Sequence, residues 1–516
     1  MLTEKDTQQL ERQGISKKDV NDQLERFKKG YPQLNIVAPA TPENGIKMTS
    51  KEDKEKYITL YKKKSKNADI TKFVPASGAA SRMFKKIFEV LDAYDGSEEK
   101  YLEMLTDRSA SSVYTLVENI HEFAFYRDLA QICKEKGECI ESKFEKKDYA
   151  GALDLLVSER GLNYGHYPKG LIKFHKYKND TRTALEEHLV EGAMYAASKK
   201  TVNIHFTISP EFEYDFQKHV KAATPIYEER FGITYNIEFS NQKRYTDTVA
   251  VDLENKLERN EDGEIILRPG GHGSLIENLN EIDADLIFIK NIDNVVTDRL
   301  KDITVEYKEL LGGVLFDKKE KVFNYLQKLT GNEEIGDAYL TKVSNFCNEE
   351  LNIYIPDSFK SSENKEKIEF LVSQLNRPMR VCGMVKNEDE PGGGPFWVED
   401  KNGLRSLQIV ESSQFDTNDK EQMKVFNTAT HFNPVDIACS TKNYKGEKFD
   451  LTKYIDIETG FISEKSYKGK TIKALEHPGL WNGAMSNWIT IFVEVPMETF
   501  NPVKVINDLL RKEHRF

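Results

Sequence analysis

Between Arg268 and Asn294 the chain reads RPGGHGSLIENLNEIDADLIFIKNIDN. A glycine-rich loop gives way to a short amphipathic helix, and the apolar run Leu286 to Ile289 then leads into Asn291, Asp293 and Asn294. A short apolar run bounded by turn formers predicts a buried strand. One carboxylate and two amides at its carboxyl end lie where open α/β sheets bind ligands. A carboxylate there suits a hard cation carrying phosphate. Asn-Ile-Asp-Asn reads equally as a loop of turn-forming Asx residues. The upstream loop weighs toward a ligand: Gly270, Gly271 and Gly273 let the backbone approach a planar or charged group, and His272 sets a donor beside it.

Working outward, the pattern alternates strand and helix. ITKFVPA (Ile70 to Ala76) is the first strong strand signal, and SGAASRMFKKIFEVL follows it with small residues that pass into a helical period. Strand, small-residue loop and helix are the layout of a phosphate-binding turn. Then come GLIKFH, a helix from Thr183 to Ala197, VNIHFTI (Val202 to Ile208), a helix from Pro210 to Phe231, and YNIEFS (Tyr235 to Ser240). This pitch predicts an α/β fold with a mixed, largely parallel sheet and helices on both faces. Residues 1–68 read as a helical lead-in, and 69–516 as one α/β domain with helical insertions at about 98–160 and 296–376. From Met379 the texture changes to short strands broken by glycine, and a closing helix is expected after Pro502.

Composition bounds the function. With 516 residues, 39% hydrophobic and 31% charged, the chain has the make-up of a globular protein of one large domain or two to three smaller ones. A formal charge of -11, with no lysine-rich domain to offset it, argues against nucleic acid as the main partner. Anionic substrates therefore need a local basic pocket. Five cysteines contain no C-x-x-C pair, which argues against a zinc knuckle or a disulfide framework and fits a reducing compartment. MLTEKDTQQLERQ has no apolar signal core, and no run approaches the ~18 apolar residues of a membrane span. A cytoplasmic protein without a membrane partner is expected.

Five stretches carry candidate chemistry. Ser77, Gly78, Ala79, Ala80, Ser81 and Arg82 put backbone N–H groups and a guanidinium fork at the mouth of a helix, suited to phosphate, or else form a tight connection with a surface arginine. In Tyr167-Pro168-Lys169-Gly170 the proline stiffens the approach to Lys169, a point charge for phosphate or a solvated lysine before a strand. Gln242 in FSNQKRYTDT offers donor and acceptor to a base edge, or is a polar strand end. The Gly270 to Asn294 unit is the fourth. In the fifth, TFNPVKVINDLL, Lys504 opens an amphipathic helix, a position unfavourable for the macrodipole without an anion nearby.

The segments FSNQKRY, PGGHGSL, FIKNIDNV, VFNT and FNPVKVINDLL, in this order, resemble the successive motifs of eukaryotic-type UTP–glucose-1-phosphate uridylyltransferases and, more broadly, UDP-sugar pyrophosphorylases. The resemblance runs from about Phe73 to Leu510 and is patchy between motifs. The whole chain, including EPGGGPFWV and THFNPVD, also resembles a bacterial family known only as a domain of unknown function. The first resemblance implies the Rossmann-like nucleotide-diphospho-sugar transferase fold of GT-A type. It implies that Ser77 to Arg82 wrap a nucleoside triphosphate with Lys169 and Lys504 on its phosphates, and that Gln242 reads uracil. Gly271, His272 and Gly273 would stand at base and sugar, and Asp293 would hold Mg2+ or the ribosyl-phosphate region. Asn427 and Thr428 would lie near the sugar, Lys465 would serve as a second phosphate lysine, and Glu411 and Glu476 would contact the sugar. The sequence departs from the family's glycine-glycine-x-glycine opening: Ser77-Gly78-Ala79-Ala80 keeps one glycine, which bears on the triphosphate geometry. It also ends just after NDLL, without the β-helix module of eukaryotic relatives, so any oligomer is expected to form differently.

The implied reaction joins a sugar 1-phosphate to a nucleoside triphosphate, UTP by preference, and releases pyrophosphate. Two rivals stand beside it. A non-catalytic nucleotide-sugar-binding protein follows from the altered glycine turn. A glycosyltransferase of the same fold would show Asp-x-Asp after a strand, whereas Asp283-Ala-Asp285 precedes its strand.

Overall fold

The apolar run at Leu286 forms the strand Leu286–Lys290, with every residue buried. Strands buried along their whole length tend to read as apolar runs; Met379–Lys386 is buried up to its last residue and Asp436–Ser440 throughout, although Arg380 and Asp436 interrupt their apolar patterns. The structure, a computed structural model, describes residues 2–516 except 79, 94–96, 98–99, 101–105, 147 and 389–392. It is a mixed α/β protein with a largely parallel central sheet and many helices. The chain forms two compact units: Met1–Thr71, Ser240–Ile289 and Lys308–Met497 make the first, and Lys72–Phe239, Lys290–Tyr307 and Glu498–Phe516 the second.

In the first unit the strands Ile46–Lys47, Ile489–Glu494, Met379–Lys386, Asp436–Ser440 and Leu286–Lys290 lie side by side in that order. Ile489–Glu494 runs parallel to both its neighbours, and Asp436–Ser440 antiparallel to Met379–Lys386. The glycine-broken stretches form antiparallel sheets: Asn35–Pro39 with Gly394–Glu399 and Arg405–Val410, and Phe461–Tyr467 with Lys470–Glu476, Thr248–Val251 and Leu267–Arg268. The helices Glu4–Gln13 and Lys17–Lys29 start on Thr3 and Ser16, each in a capping box with the aspartate three residues on. Their apolar face, Leu10, Val20 and Phe27, shares a core with Val249, Val251, Ile265 and Leu475.

In the second unit Ile70–Pro75, Thr201–Ile208 and Thr234–Asn241 are neighbours in that order. The helix Ala184–Tyr195 starts on Thr183 in a capping box with Glu186, and Glu213–Phe231 ends on Gly232 at φ 64°. The helices Val113–Glu118, Tyr126–Glu135 and Tyr149–Val157 share one core with these strands, through Leu116, Leu129, Leu153, Val74 and Phe206.

Two expected elements differ. GLIKFH does not enter the large sheet: only Lys173–Lys176 is extended, and it pairs antiparallel with Thr181–Thr183 as a two-stranded ribbon. The Tyr177 N–H donates to the Asp180 carbonyl and turns the chain back at once. No long helix closes the chain. After Pro502 it makes only the 3-10 turns Ile506–Leu510 and Lys512–His514, because the Asp508 carboxylate accepts both the Lys504 and Val505 N–H groups at 2.8 Å. Among the described residues no helix is long and apolar enough to cross a membrane.

Candidate functional site

Lys290, the last residue of strand Leu286–Lys290, opens the second-unit segment in which Asn291 and Asp293 follow. The Lys169 ammonium donates to Asp293 Oδ2 and to the Val503 carbonyl, both at 2.7 Å. The side chains are 15% and 20% exposed, so both stay within reach of a ligand. Pro168, at φ -70°, sets Lys169 at the start of the 3-10 turn Lys169–Leu171. The Asp293 carbonyl accepts from the Val503 N–H, and Asn294 clamps the same segment by accepting from Asn501 N–H. Asn294 is thus a structural residue.

The turn after strand Ile70–Pro75 is stitched to the same place. The Ala80 N–H donates to the Tyr167 carbonyl at 3.0 Å, and the Ser77 carbonyl accepts from the Ser209 hydroxyl. Ala79 lies outside the described residues. None of Ser77, Gly78, Ala80, Ser81 and Arg82 is at positive φ, and a Cβ on Gly78 would meet nothing within 4 Å. Serine and alanine therefore fit this turn without strain, whereas a left-handed turn would have demanded glycine. Ser81 and Arg82 are exposed. Lys504 is exposed too, its ammonium 5.6 Å from the Phe500 ring centroid. The helix expected to begin there is absent, and with it the dipole argument for this lysine.

In the first unit a second group forms around the glycine loop. Gly271 takes φ +80°, and a Cβ on it would lie 2.8 Å from Glu476 Oε2; on Gly273 it would lie 2.0 Å from the Pro478 carbonyl. The loop needs glycine chiefly because Glu476 to Pro478 runs against it. His272 stacks on Trp481, with ring centroids 4.4 Å apart, and its Nδ1 accepts from the Leu480 N–H. Its imidazole is therefore an acceptor toward the chain. Burial lowers the His272 pKa, with Glu411 and Glu476 opposing. Lys465 donates to Glu476 Oε1 at 2.7 Å. Gln242 lies over the following turn, 3.4 Å from both Thr246 Oγ1 and Asp247 Oδ1. Asn427 and Thr428 end the helix Lys420–Asn427 as exposed residues, and the Thr428 hydroxyl is spent on the Val425 carbonyl. Neither hydrogen-bonds to the His272 group.

Sequence reasoning missed the buried charges beneath Lys169 and Asp293. Glu191 takes Lys72 at 2.9 Å and Lys290 at 2.8 Å, all three essentially without solvent contact. His188 bonds to the Ile292 carbonyl, one residue before Asp293. One turn earlier Glu187 takes Lys301, His175 and Tyr177, and Arg182 forks onto Asp298 at 2.7 and 2.9 Å. His175 continues to His514 at 2.9 Å. Burial would raise the Glu187 and Glu191 carboxyls, but the surrounding lysines hold both well below the usual carboxylate range. The signal was present as Glu187 and Glu191 four apart on one otherwise apolar helix face.

The family model described as "Domain of unknown function (DUF4301)" matches residues 3–515. The chain belongs to this family. No curated protein matches it. Among solved structures this DUF4301 chain is similar to the UDP-glucose pyrophosphorylase from Leishmania major, at 12% identity and TM-score 0.43 over 99% of this chain and 79% of that one. It is also similar to the UDP-glucose phosphorylase from Trypanosoma brucei, at 11% and 0.43 over 98% and 77%. A third is the uridine diphosphate N-acetylglucosamine pyrophosphorylase from Trypanosoma brucei, at 11% and 0.45 over 95% and 74%.

Among the described residues no group of three or more His, Cys, Asp or Glu side chains could hold a metal ion. Asp293 has one oxygen committed to Lys169. Its other oxygen fits the way magnesium is held by one or two carboxylates while phosphates and water complete the shell. Asp283 and Asp285 are both spoken for by Lys442, at 2.7 and 3.3 Å, and Asp285 also accepts the Asp69 N–H. They tie down the start of strand Leu286–Lys290.

Proposed function

We propose that this chain is a nucleotidyltransferase that forms a nucleotide sugar and pyrophosphate from a nucleoside triphosphate, UTP by preference, and a sugar 1-phosphate. The observation that carries the reading is the Lys169–Asp293 pair. The lysine and the aspartate that the motif resemblance assigns to phosphate and metal are 124 residues apart in sequence and meet at 2.7 Å. The Ser77 to Arg82 turn is bonded to Tyr167, two residues before Lys169, and Lys504 adjoins the Val503 carbonyl that the same ammonium holds.

The sugar phosphate is already an anion, so its attack on the α-phosphorus needs no general base. Positioning and charge neutralisation do the work. Lys169 exchanges part of its contact with Asp293 for a phosphate oxygen, and Arg82 and Lys504 add positive charge to the departing pyrophosphate. Asp293 would hold magnesium, which when bound neutralises phosphate charge. By the same resemblance Gln242 reads the base, Gly271, His272 and Gly273 stand at base and sugar, and Glu411, Glu476, Lys465, Asn427 and Thr428 serve the sugar phosphate.

A second reading, a nucleotide-sugar-binding protein without turnover, is favoured by one observation: Lys169 is doubly engaged within the chain. Magnesium-dependent pyrophosphate release, assayed over four nucleoside triphosphates and a panel of sugar 1-phosphates, separates the two. Release with at least one pair supports the enzyme. Silence from every pair, with saturable UDP-sugar binding, would establish the binding protein in its place.

A further inference from the structure

The first unit contains a cavity of ≈ 760 Å³ beside the amino-terminal ends of the parallel strands Met379–Lys386 and Ile489–Glu494. That is the edge opposite the carboxyl ends at which open α/β sheets bind their ligands. None of the residues assigned above to nucleotide, sugar or metal lines it. The volume falls in the range of small-molecule pockets, about 300–1,000 Å³.

Its wall carries unspent polar groups. Arg377 uses Nε on the Gln374 carbonyl at 2.8 Å, and no carboxylate among the described residues pairs with its guanidinium. Burial pushes its pKa down to about 10. Asn482 and Trp488, 4% and 3% exposed, both line the cavity, and neither Asn482 Oδ1 nor Trp488 Nε1 has a hydrogen-bond partner. Thr490 in the wall holds a second arginine: Arg380, fully buried, donates Nε to its hydroxyl at 2.9 Å and Nη1 to the Trp481 carbonyl, while Nη2 has no partner. The acidic groups at the rim are engaged elsewhere. Glu399 pairs with Arg405 at 2.9 Å, Glu458 takes the Arg26 fork, and the Asp400 and Asp456 carboxylates cap their own loops.

A guanidinium fork without a carboxylate suits a planar or tetrahedral anion. An indole N–H donates to a hydroxyl oxygen, and an amide oxygen accepts from a hydroxyl. We propose that this cavity binds a small hydroxylated anion, a phosphate monoester or a hydroxy acid, at a site separate from the nucleotide. The fork grips the anionic end, and Trp488 and Asn482 take the hydroxyl.

Isothermal titration of the full chain with glycerol 3-phosphate and with malate tests this, with glycerol as the uncharged control. Saturable one-site binding of either anion supports the site, and the one that binds identifies the anion class. Arg377→Ala should weaken binding about tenfold or more. Trp488→Phe, which keeps the ring and removes only the N–H, should weaken it about threefold or more. Lys169→Ala should leave it unchanged, and near-UV circular dichroism checks that each variant is folded. Absence of saturable binding by both anions would overturn the proposal. So would full affinity in both Arg377→Ala and Trp488→Phe, or loss of binding in Lys169→Ala.

Discussion

At the residue scale, the account rests on Lys169. Its removal leaves Asp293 without its partner and, under the proposed function, takes a preorganised positive charge from the developing pyrophosphate. Losing one such group typically costs 10²–10³ in turnover, so Lys169→Ala should cut kcat about 100-fold or more. Steady-state pyrophosphate release measures this, and an unchanged kcat contradicts the assignment. Glycines separate function from packing on the same footing. Gly273→Ala would drive a Cβ into the Pro478 carbonyl and should lose about 1–3 kcal/mol in urea unfolding. Gly78→Ala meets nothing and should hold stability within about 0.5 kcal/mol or raise it. Equal losses at the two positions would refute the contrast. The sequence made the glycines conspicuous but not their reason: Glu476 to Pro478, about 200 residues away, supplies the wall that excludes a side chain.

At the element scale, the helix Ala184–Tyr195 organises the second unit, because Glu187, His188 and Glu191 on it all face inward. Replacing Glu191 with leucine strips the carboxylate from Lys72 and Lys290 in a solvent-free site. Breaking a buried pair costs about 3–5 kcal/mol, and urea denaturation should show a loss of that size; a change under 1 kcal/mol would contradict the network. The histidines add a pH signature. Burial lowers the pKa of His175, His188 and His514, with Lys72 adding to the effect at His188 and His175 and Arg511 at His514. Unfolded histidine titrates near 6.5, so below that pH the unfolded chain binds protons that the folded chain refuses. Stability should therefore fall as pH drops from 6.5 toward 5, by about 1.4 kcal/mol per pH unit for each such histidine. His514→Gln should make that slope shallower, and an unchanged slope would contradict this account. The contribution of Glu187 and Glu191, whose pKa values are lowered, persists to about pH 4.5 and is lost only below it. Regular elements were legible where one period ran unbroken: Val202 to Ile208 and Tyr235 to Ser240 lie within the strands Thr201–Ile208 and Thr234–Asn241. GLIKFH and the chain's end were not, since a four-residue turn at Tyr177 and the Asp508 carboxylate override the local pattern. Lysines and glutamates read as solvent-facing in sequence because the residues that neutralise them come from other elements.

At the scale of the whole molecule, a chain of net charge -11 must gather its cations locally to handle phosphates. Under the proposed function Lys169, Arg82 and Lys504 serve this in the second unit, from segments far apart in sequence. The binding of a triphosphate against that overall charge should weaken with salt, and a KM that stays flat between 50 and 300 mM potassium chloride, over which the Debye length falls from about 14 to about 6 Å, would argue against a cationic cluster. The central claim is that this cluster transfers a nucleotidyl group. Phosphorus NMR of the full chain with UTP, magnesium and glucose 1-phosphate or N-acetylglucosamine 1-phosphate tests it most directly. The account predicts a new pair of coupled diphosphate resonances appearing together with free pyrophosphate, and their suppression in Lys169→Ala. Spectra that stay those of the starting materials with every sugar phosphate, while UDP-glucose still binds the folded protein, would contradict it.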